Sequence, residues 1–344
     1  MPETIPVAVV GASGYTGAEL VRLLLGHRGV EIAVITAAKR AGEKLHDVFP
    51  QFRGLFEATL EPIDAAAVAQ RAKVAFLALP HGESAALARD LLTRGLRVLD
   101  LSADLRLHDA AEHERWHGHD AAAELRGKAV YGLPELHRDA LRGARLVAVP
   151  GCYPTAALLA LAPLLRAKLV STEGLVIDAK SGVSGAGRSP APHTHYPEAG
   201  EGVRAYGVAG HRHTPEIEQE LSAIAGRPVR VTFTPHLLPM NRGMLATCYG
   251  RSSASAAALR EALLSAYRDE RFVDIIDKPP DTAHLRVSNR AHVFATVDAR
   301  SGQAIAMAAL DNLVKGASGQ AVQCMNLALG FDEDEGLRGA GFFP

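Results

Sequence analysis

Three cysteines lie along the 344-residue chain, and one of them stands where a thiol can react. Cys152 falls in Val149-Pro150-Gly151-Cys152-Tyr153-Pro154-Thr155, followed by a run of alanine and leucine. Glycine and proline around it mark a strand end passing into a helix start, with Pro154 in the first turn where proline is favoured. The positive end of a helix favours the thiolate form of a cysteine. The same backbone N–H groups can receive an oxyanion. Cys248, in LATCY, and Cys324, in AVQCM, lie inside apolar strand and helix patterns and read as small core residues.

A thiolate that attacks an acyl group needs a proton-handling partner, most often histidine. There are 15 histidines, so context must choose among them. Gly210-His211-Arg212-His213-Thr214-Pro215-Glu216-Ile217 is the distinctive stretch. Thr214 and Pro215 read as the N-cap and first residue of a helix. His211 and His213 precede it, and either fits an acid/base role. His81 in LPHG, and His193 and His195 in a Gly/Pro-rich loop, are the other candidates.

A second kind of chemistry begins at the N-terminus. Gly11 to Gly17 (GASGYTG) follows an apolar run and opens a helix, the context in which such glycines cradle a dinucleotide pyrophosphate. An NAD site commonly carries an acid after the second strand. Here Thr36-Ala37-Ala38-Lys39-Arg40 has two cations and no acid, so a 2′-phosphate, and hence NADP, is expected, met by Lys39 or Arg40. A second Gly-rich loop, Ser181 to Arg188, would let backbone approach a ligand. Asp100 to Arg106 puts polar groups at a central strand end, with Arg106 available to an anionic substrate. Arg115, Arg188 and Arg204 are alternatives for that anion.

These groups need elements to hold them. Apolar strands at Ile5–Gly11, Glu31–Ala37, Val74–Pro80, Arg97–Ser102 and Arg145–Gly151 alternate with helices at Ala18–Leu25 and Ser84–Thr93, the rhythm of a doubly wound parallel sheet. The second half differs. Strands at Gly174–Lys180, Val229–Leu237, Gly243–Gly250, Arg290–Ala299 and Gln303–Leu310 come with one clear helix, Ala256–Arg268 capped by Ser255. That pattern predicts an α+β domain with a mostly antiparallel sheet. A last helix, Gly319–Leu329, is expected to return to the first domain.

The composition fits. Hydrophobic residues are 48% and charged residues 22%, ordinary for a globular chain of two domains. A net charge of −1 supplies no global field for nucleic acid or an anionic membrane. The cysteines are too few and too dispersed for a disulfide framework or a metal site, which points to a reducing cytoplasm. The longest apolar run, Ala156 to Leu165, is half the ~20 residues a membrane span needs. The N-terminus does not read as a signal peptide.

Taken together, GASGYTGAEL, LALPHG, DLSADLRL, YGLPEL, VPGCYPTA, SGVSGAGR, HRHTPEI and LDNLVKGASGQA resemble the N-acetyl-γ-glutamyl-phosphate reductase family, in its longer type. The motifs run in order from residue 11 to about 321, nearly the whole chain. The resemblance implies an α/β chain. A doubly wound, Rossmann-like NADP domain would span 1–152, with 314–344 returning to it. A catalytic, substrate and oligomerisation domain would span 153–313. It implies an NADPH-dependent acyl-phosphate reductase of arginine biosynthesis, working through a cysteine thioester as a homotetramer or homodimer. Cys152 would be the nucleophile and His213 the acid/base, with His211 near the substrate. Gly11, Ser13, Gly14, Tyr15, Thr16 and Gly17 would hold the pyrophosphate, with Lys39, Arg40 and Pro80 also at the cofactor. Ser184, Gly185 and Asn312 would lie near the nicotinamide, and Arg106 and Arg188 would bind substrate. The acidic tail after Phe331 lies outside these motifs and has no assigned role. Rivals of the same architecture are aspartate-semialdehyde dehydrogenase, which normally has asparagine where Gly151 stands, and a reductase of carrier-bound aminoadipyl phosphate. A non-catalytic NADP sensor is the rival of a different class.

Overall fold

The computed structural model describes residues 4–118 and 123–343. The chain divides into two compact units: Met1–Pro150 with Ala317–Arg338, and Gly151–Gly316 with Gly339–Pro344.

The first unit is built on β1 (Ile5–Val10), β2 (Val30–Thr36), β3 (Val74–Leu77), β4 (Arg97–Asp100), β5 (Val130–Tyr131) and β6 (Leu146–Ala148). They form a six-stranded sheet in the order β2-β1-β3-β4-β6-β5, every pair parallel. Val7–Val10 and Val74–Leu77 are buried without alternation, as strands covered on both faces must be. The chain leaves β1 to one side and returns on the other, so the order reverses at the end of β1. That switch point is where open sheets of this kind bind ligands. The sequence pattern suggests that β3 runs to Pro80. It ends at Leu77, because Ala78 bends over the glycine loop, its carbonyl against the Gly11 Cα. Asp104 fixes the start of helix Ser84–Thr93, accepting from the N–H groups of Gly82, Ser84 and Ala85 at 2.7, 3.0 and 3.2 Å.

Helix Gly319–Leu329 belongs to this unit, with Cys324 buried and its Sγ 3.2 Å from Gly132 O. The acidic run beyond it is a clasp. Arg28 donates to both Glu335 carboxylate oxygens, at 2.9 and 2.7 Å, and Arg138 pairs with Glu333 at 2.7 Å. Asn326 Nδ2 donates to the carbonyls of Glu333 and Glu335. Phe331 packs its ring edge against His27, in space that any side chain on Gly29 would fill.

The second unit carries β7 (Leu175–Gly182), β8 (Arg204–Ala205), β9 (Val231–Leu238), β10 (Met244–Arg251), β11 (Val273–Ile275), β12 (Ala291–Asp298) and β13 (Gln303–Leu310). The seven-stranded sheet has the order β11-β12-β13-β10-β7-β9-β8. It is mixed: β11–β12 and β7–β9 are parallel and the other pairs antiparallel. The β7–β9 pair is parallel because residues 183–230, with helix Thr214–Ala225, form a crossover long enough to bring the chain back in the same direction. Helix Cys152–Arg166 is apolar all round and buried from Tyr153 to Leu165, as a helix covered on every side must be. It packs on the sheet and on helices Thr214–Ala225 and Ala256–Ala266. Small buried residues, among them Ala246, Cys248, Ala304, Ala306 and Ala308, alternate along the strands beneath it. Ser255 caps the Ala256 helix through the Ala258 N–H.

Strand register places four connections at one end of this sheet. Ser181 pairs with Met244, Met244 with Leu310, and Leu310 with Ala291. Residues 182–188, 239–243, 284–290 and 311–316 therefore emerge together. Residues 339–343, grouped above with the first domain, run along this unit instead. Phe342 N donates to Arg286 O, and the Phe343 ring packs on His284.

Candidate active site

Cys152 is the first residue of its helix, with Gly151 as an extended N-cap that offers no side-chain cap. It is partly exposed, whereas Cys248 and Cys324 are buried. Burial pushes the Cys248 thiol well above its usual range, the expected state of a core cysteine. Gly151 is tightly specified. Its N–H donates to Oε1 of the buried Glu216 at 2.9 Å, and a Cβ at this position would collide with the His213 imidazole. A β-carbon before the cysteine, including that of asparagine, would require the His213 ring to move. Gly316 is specified in the same way, since a Cβ there would lie 2.7 Å from Cys152 Cβ.

The two candidate histidines are brought together and given different surroundings. Their ring centroids are 4.9 Å apart. His211 packs edge-on against Tyr153, Tyr206 and Phe233, and its Nδ1 accepts from the His213 backbone N–H at 3.1 Å. Burial, helped by Arg212, pushes its pKa down to about 4, so His211 is neutral near pH 7 with its proton on Nε2. His213 is the ring that lies against Gly151. Helix Thr214–Ala225 starts one residue earlier than the sequence pattern suggests, with His213 at the N-cap and Glu216 in the first turn. From that first turn the Glu216 carboxylate reaches the Gly151 N–H. Glu216 was visible within HRHTPEI, but only the fold shows what it meets. Tyr206 Oη donates to Tyr153 Oη, and Tyr153 Oη donates to His236 O, each at 3.1 Å. Burial drives both phenols up, Tyr206 to about 12, so both stay protonated.

The neighbouring loops are held by two residues in sequence. Asn312 accepts from Gly243 N at 2.8 Å and donates to Ser184 Oγ at 2.9 Å, tying the second Gly-rich loop to the β9–β10 turn. A Cβ on Gly185 would stand 2.8 Å from Ser181 Oγ, and one on Gly182 would stand 2.7 Å from Asn241 O. Asp311, fully buried, accepts from Leu313 N and Val314 N through Oδ1 and from Val287 N through Oδ2. Its carbonyl accepts from Gly316 N at 2.9 Å. Asp311 adjoins Asn312 in LDNLVKGASGQA, yet nothing in the spacing distinguishes it as a support. Arg188 is exposed on the loop, as are His195 and Gly185.

In the first unit the glycine loop divides its labour. Gly11 has φ +93°, and both it and Gly17 lie where a Cβ would strike backbone. Gly14 meets nothing closer than 3.7 Å and caps helix Tyr15–Leu24 with no side-chain cap, which leaves that face open to an anion. Gly11 N and Ala12 N are already spent on Thr36 O, and Thr16 O accepts from Ser318 Oγ. Arg40 is engaged bidentately by Glu43, while Lys39 is exposed with no ion-pair partner among the described residues. Pro80 is exposed beyond β3, and His81 Nδ1 accepts from Ala103 N. Arg106 is 4% exposed, its Nε and Nη2 each 2.8 Å from the carbonyls of Val149 and Leu101. These bonds make it a strut beneath the strand end leading to Cys152. Asp100, fully buried, has its carboxyl pushed up to about 6 by desolvation, only partly offset by the Ser102 N–H.

Comparison with known proteins is consistent across the chain. The family described as semialdehyde dehydrogenase, NAD binding domain, matches residues 6–144. The one described as semialdehyde dehydrogenase, dimerisation domain, matches residues 152–312. The N-acetyl-gamma-glutamyl-phosphate reductase of Rhodospirillum rubrum is 50% identical over 356 residues, covering 100% of each chain. That of Geobacter sulfurreducens is 49% identical, covering 99% of this chain and 100% of its own. Among solved structures, aspartate semialdehyde dehydrogenase II from Vibrio cholerae superposes with a TM-score of 0.70 at 17% identity, over 95% of this chain and 99% of its own. The Candida albicans aspartate semialdehyde dehydrogenase, solved with NADP, gives 0.70 at 15% over the same shares. At such identities these two speak for the fold alone.

Proposed function

The chain belongs to the N-acetyl-gamma-glutamyl-phosphate reductase family, and on that premise we propose how its own residues carry out the family reaction. The reaction is NADPH-dependent reduction of N-acetyl-L-glutamyl 5-phosphate to N-acetyl-L-glutamate 5-semialdehyde and phosphate, a step of arginine biosynthesis. The observation that carries the assignment of roles is the shared packing of Gly151 between Glu216 and His213, next to the one partly exposed cysteine.

Cys152 is the nucleophile. Its thiolate attacks the γ-acyl carbon, the phosphate leaves, and a thioester forms on Sγ. The uncapped N–H groups of the helix start face the developing oxyanion. His213 handles the proton as the thiohemiacetal on Sγ collapses to the aldehyde. Glu216 and Gly316 are positioning residues: one holds the backbone before the cysteine, the other gives it room. His211, neutral and committed through Nδ1, orients His213.

The nucleotide fits the glycine loop, where Gly14 leaves the helix N-terminus open and Lys39 is available to a 2′-phosphate. Ser13, Tyr15 and Thr16 belong to the same turn. When bound, NADPH supplies the hydride. Ser184, Gly185 and Asn312 form the rigid loop proposed for the nicotinamide side, and Arg188 remains a candidate for substrate. Arg106 is better read as a strut.

The chain is read as a homo-oligomer, in keeping with the dimerisation-domain match. The uncovered face of the seven-stranded sheet, with Val176, Leu245, Tyr249, Phe294, Ile305 and Met307 partly exposed, suits a second copy. No helix among the described residues is long and apolar enough to cross a membrane. A reducing cytoplasm suits a free reactive thiol. The test is phosphate-dependent reduction of NADP by the semialdehyde, the reverse direction. Cys152→Ser should lose about 10³-fold or more in kcat, and full retention would refute the assignment.

A further inference from the structure

Arg286 stands out among the cations of the second unit. Its neighbours Arg242 and Arg290 pair with Asp311 and Asp274. Among the described residues the Arg286 guanidinium has no ion pair or hydrogen bond, and its Nε is buried without an acceptor. A buried N–H left without a partner is costly and calls for a reason. The next residue sharpens the question. Val287 has φ +67°, a left-handed conformation that is a genuine outlier for a β-branched side chain. Strain of this kind persists only where surrounding structure enforces it, and it clusters at ligand clamps.

The enforcing group is Asp311. Its Oδ2 accepts from Val287 N at 2.7 Å, its Oδ1 holds Leu313 N and Val314 N, and its carbonyl holds Gly316 N. Gly316 in turn packs against Cys152. A continuous chain of short contacts therefore sets the backbone at 286–287 relative to the thiol. Register places residues 284–290 at the same end of the sheet as the Gly-rich loop 182–188.

The substrate has two anionic ends. The phosphoryl group is joined through an oxygen to the carbon that the thiol attacks, so it must lie beside Cys152 and the start of its helix. The α-carboxylate lies at the far end of the glutamyl chain and needs a cation one step removed. The planar guanidinium fork matches a carboxylate. We propose that Arg286 receives the substrate α-carboxylate and that Asp311, through the strained Val287, aims it. This rests on the reading of Cys152 as nucleophile for an N-acetylglutamyl substrate.

The test uses the full-length enzyme in the reverse direction, with N-acetylglutamate semialdehyde, phosphate and NADP each titrated. Arg286→Gln should raise the semialdehyde KM by about 10- to 100-fold, the worth of a charge-assisted pair. The KM values for phosphate and NADP should stay near wild type. Arg286→Lys keeps the charge but loses the fork, and should give a smaller rise; it decides the matter if the glutamine variant does not fold. An unchanged semialdehyde KM in the folded variant, or a rise in the phosphate KM instead, would overturn the proposal. A wild-type enzyme that did not turn over this semialdehyde would count against the underlying function instead.

Discussion

At the scale of single residues, the site separates two histidines that the sequence leaves equivalent. Both precede the same helix and both touch Tyr153. His211 is enclosed by aromatic rings and has spent Nδ1 on a backbone N–H, so burial keeps it neutral. With a pKa near 4 it does not titrate across the working range, and the acid limb of a pH–rate profile belongs to another group. His213→Asn should therefore cost about 10²- to 10⁴-fold in kcat, the usual worth of a general acid/base. His211→Phe keeps the aromatic packing and loses only the acceptor for the His213 N–H, so its loss should be far smaller. Equal losses in steady-state assays of the two variants would refute this division. Gly151 belongs to the same scale. Its small size was readable, but the reason, an imidazole where its Cβ would be, depends on residues more than 60 positions away.

At the scale of elements, the glycine loop shows why a motif is less than a mechanism. All three glycines were legible, and so was the strand–turn–helix that gives them meaning. Which of them serves the fold and which serves the ligand was not, because that depends on Ala78 O and Gly11 O passing close behind. Gly11→Ala should destabilise the protein, since φ +93° and the contact with Ala78 both resist a side chain. Gly14→Ala should leave the melting temperature nearly unchanged and raise the NADPH KM. In the same titration Lys39→Ala should weaken NADPH and leave NADH alone. A Gly14 variant that melts early with normal NADPH affinity would reverse the assignment. Most long strands and the Ser84, Ala256 and Gly319 helices were legible because their apolar periodicity is strong. The short pieces, such as β5, β8 and β11, were not, since two or three residues carry no periodicity and only partner strands define them.

At the scale of the whole molecule, the C-terminal segment matters most. Residues 317–338 belong with the N-terminal unit, and the acidic run closes on Arg28, Arg138 and Asn326. Hydrogen bonds from Arg28 hold the Glu335 carboxyl down at about 2. A depressed folded-state pKa means that the unfolded chain binds the proton more readily. The stabilisation is then complete above the unfolded value of about 4.3 and is lost as pH falls toward 2. Glu335→Gln should accordingly lower the melting temperature at pH 7, by a modest amount because Arg28 is largely exposed. The gap from wild type should narrow between pH 4.5 and 3. A gap that stays constant over that range would show that the ion pair is not its source.

The sequence by itself determined the chemistry: a thiol at a helix start, a histidine pair, a dinucleotide loop without an acid after the second strand, and the order of the elements that carry them. Local patterning suffices for these, because strands, helix starts and glycine turns are short-range. The tertiary structure alone decided which polar groups are supports and which are free. Arg106, expected at the substrate, is buried and braces two carbonyls, and the acidic tail without a role became a clasp. Asp311 and Arg286, unremarkable in the sequence, became the keystone and an arginine whose Nε is buried without an acceptor among the described residues. Pairing and burial are sums over residues distant in the chain, and no window of sequence contains them.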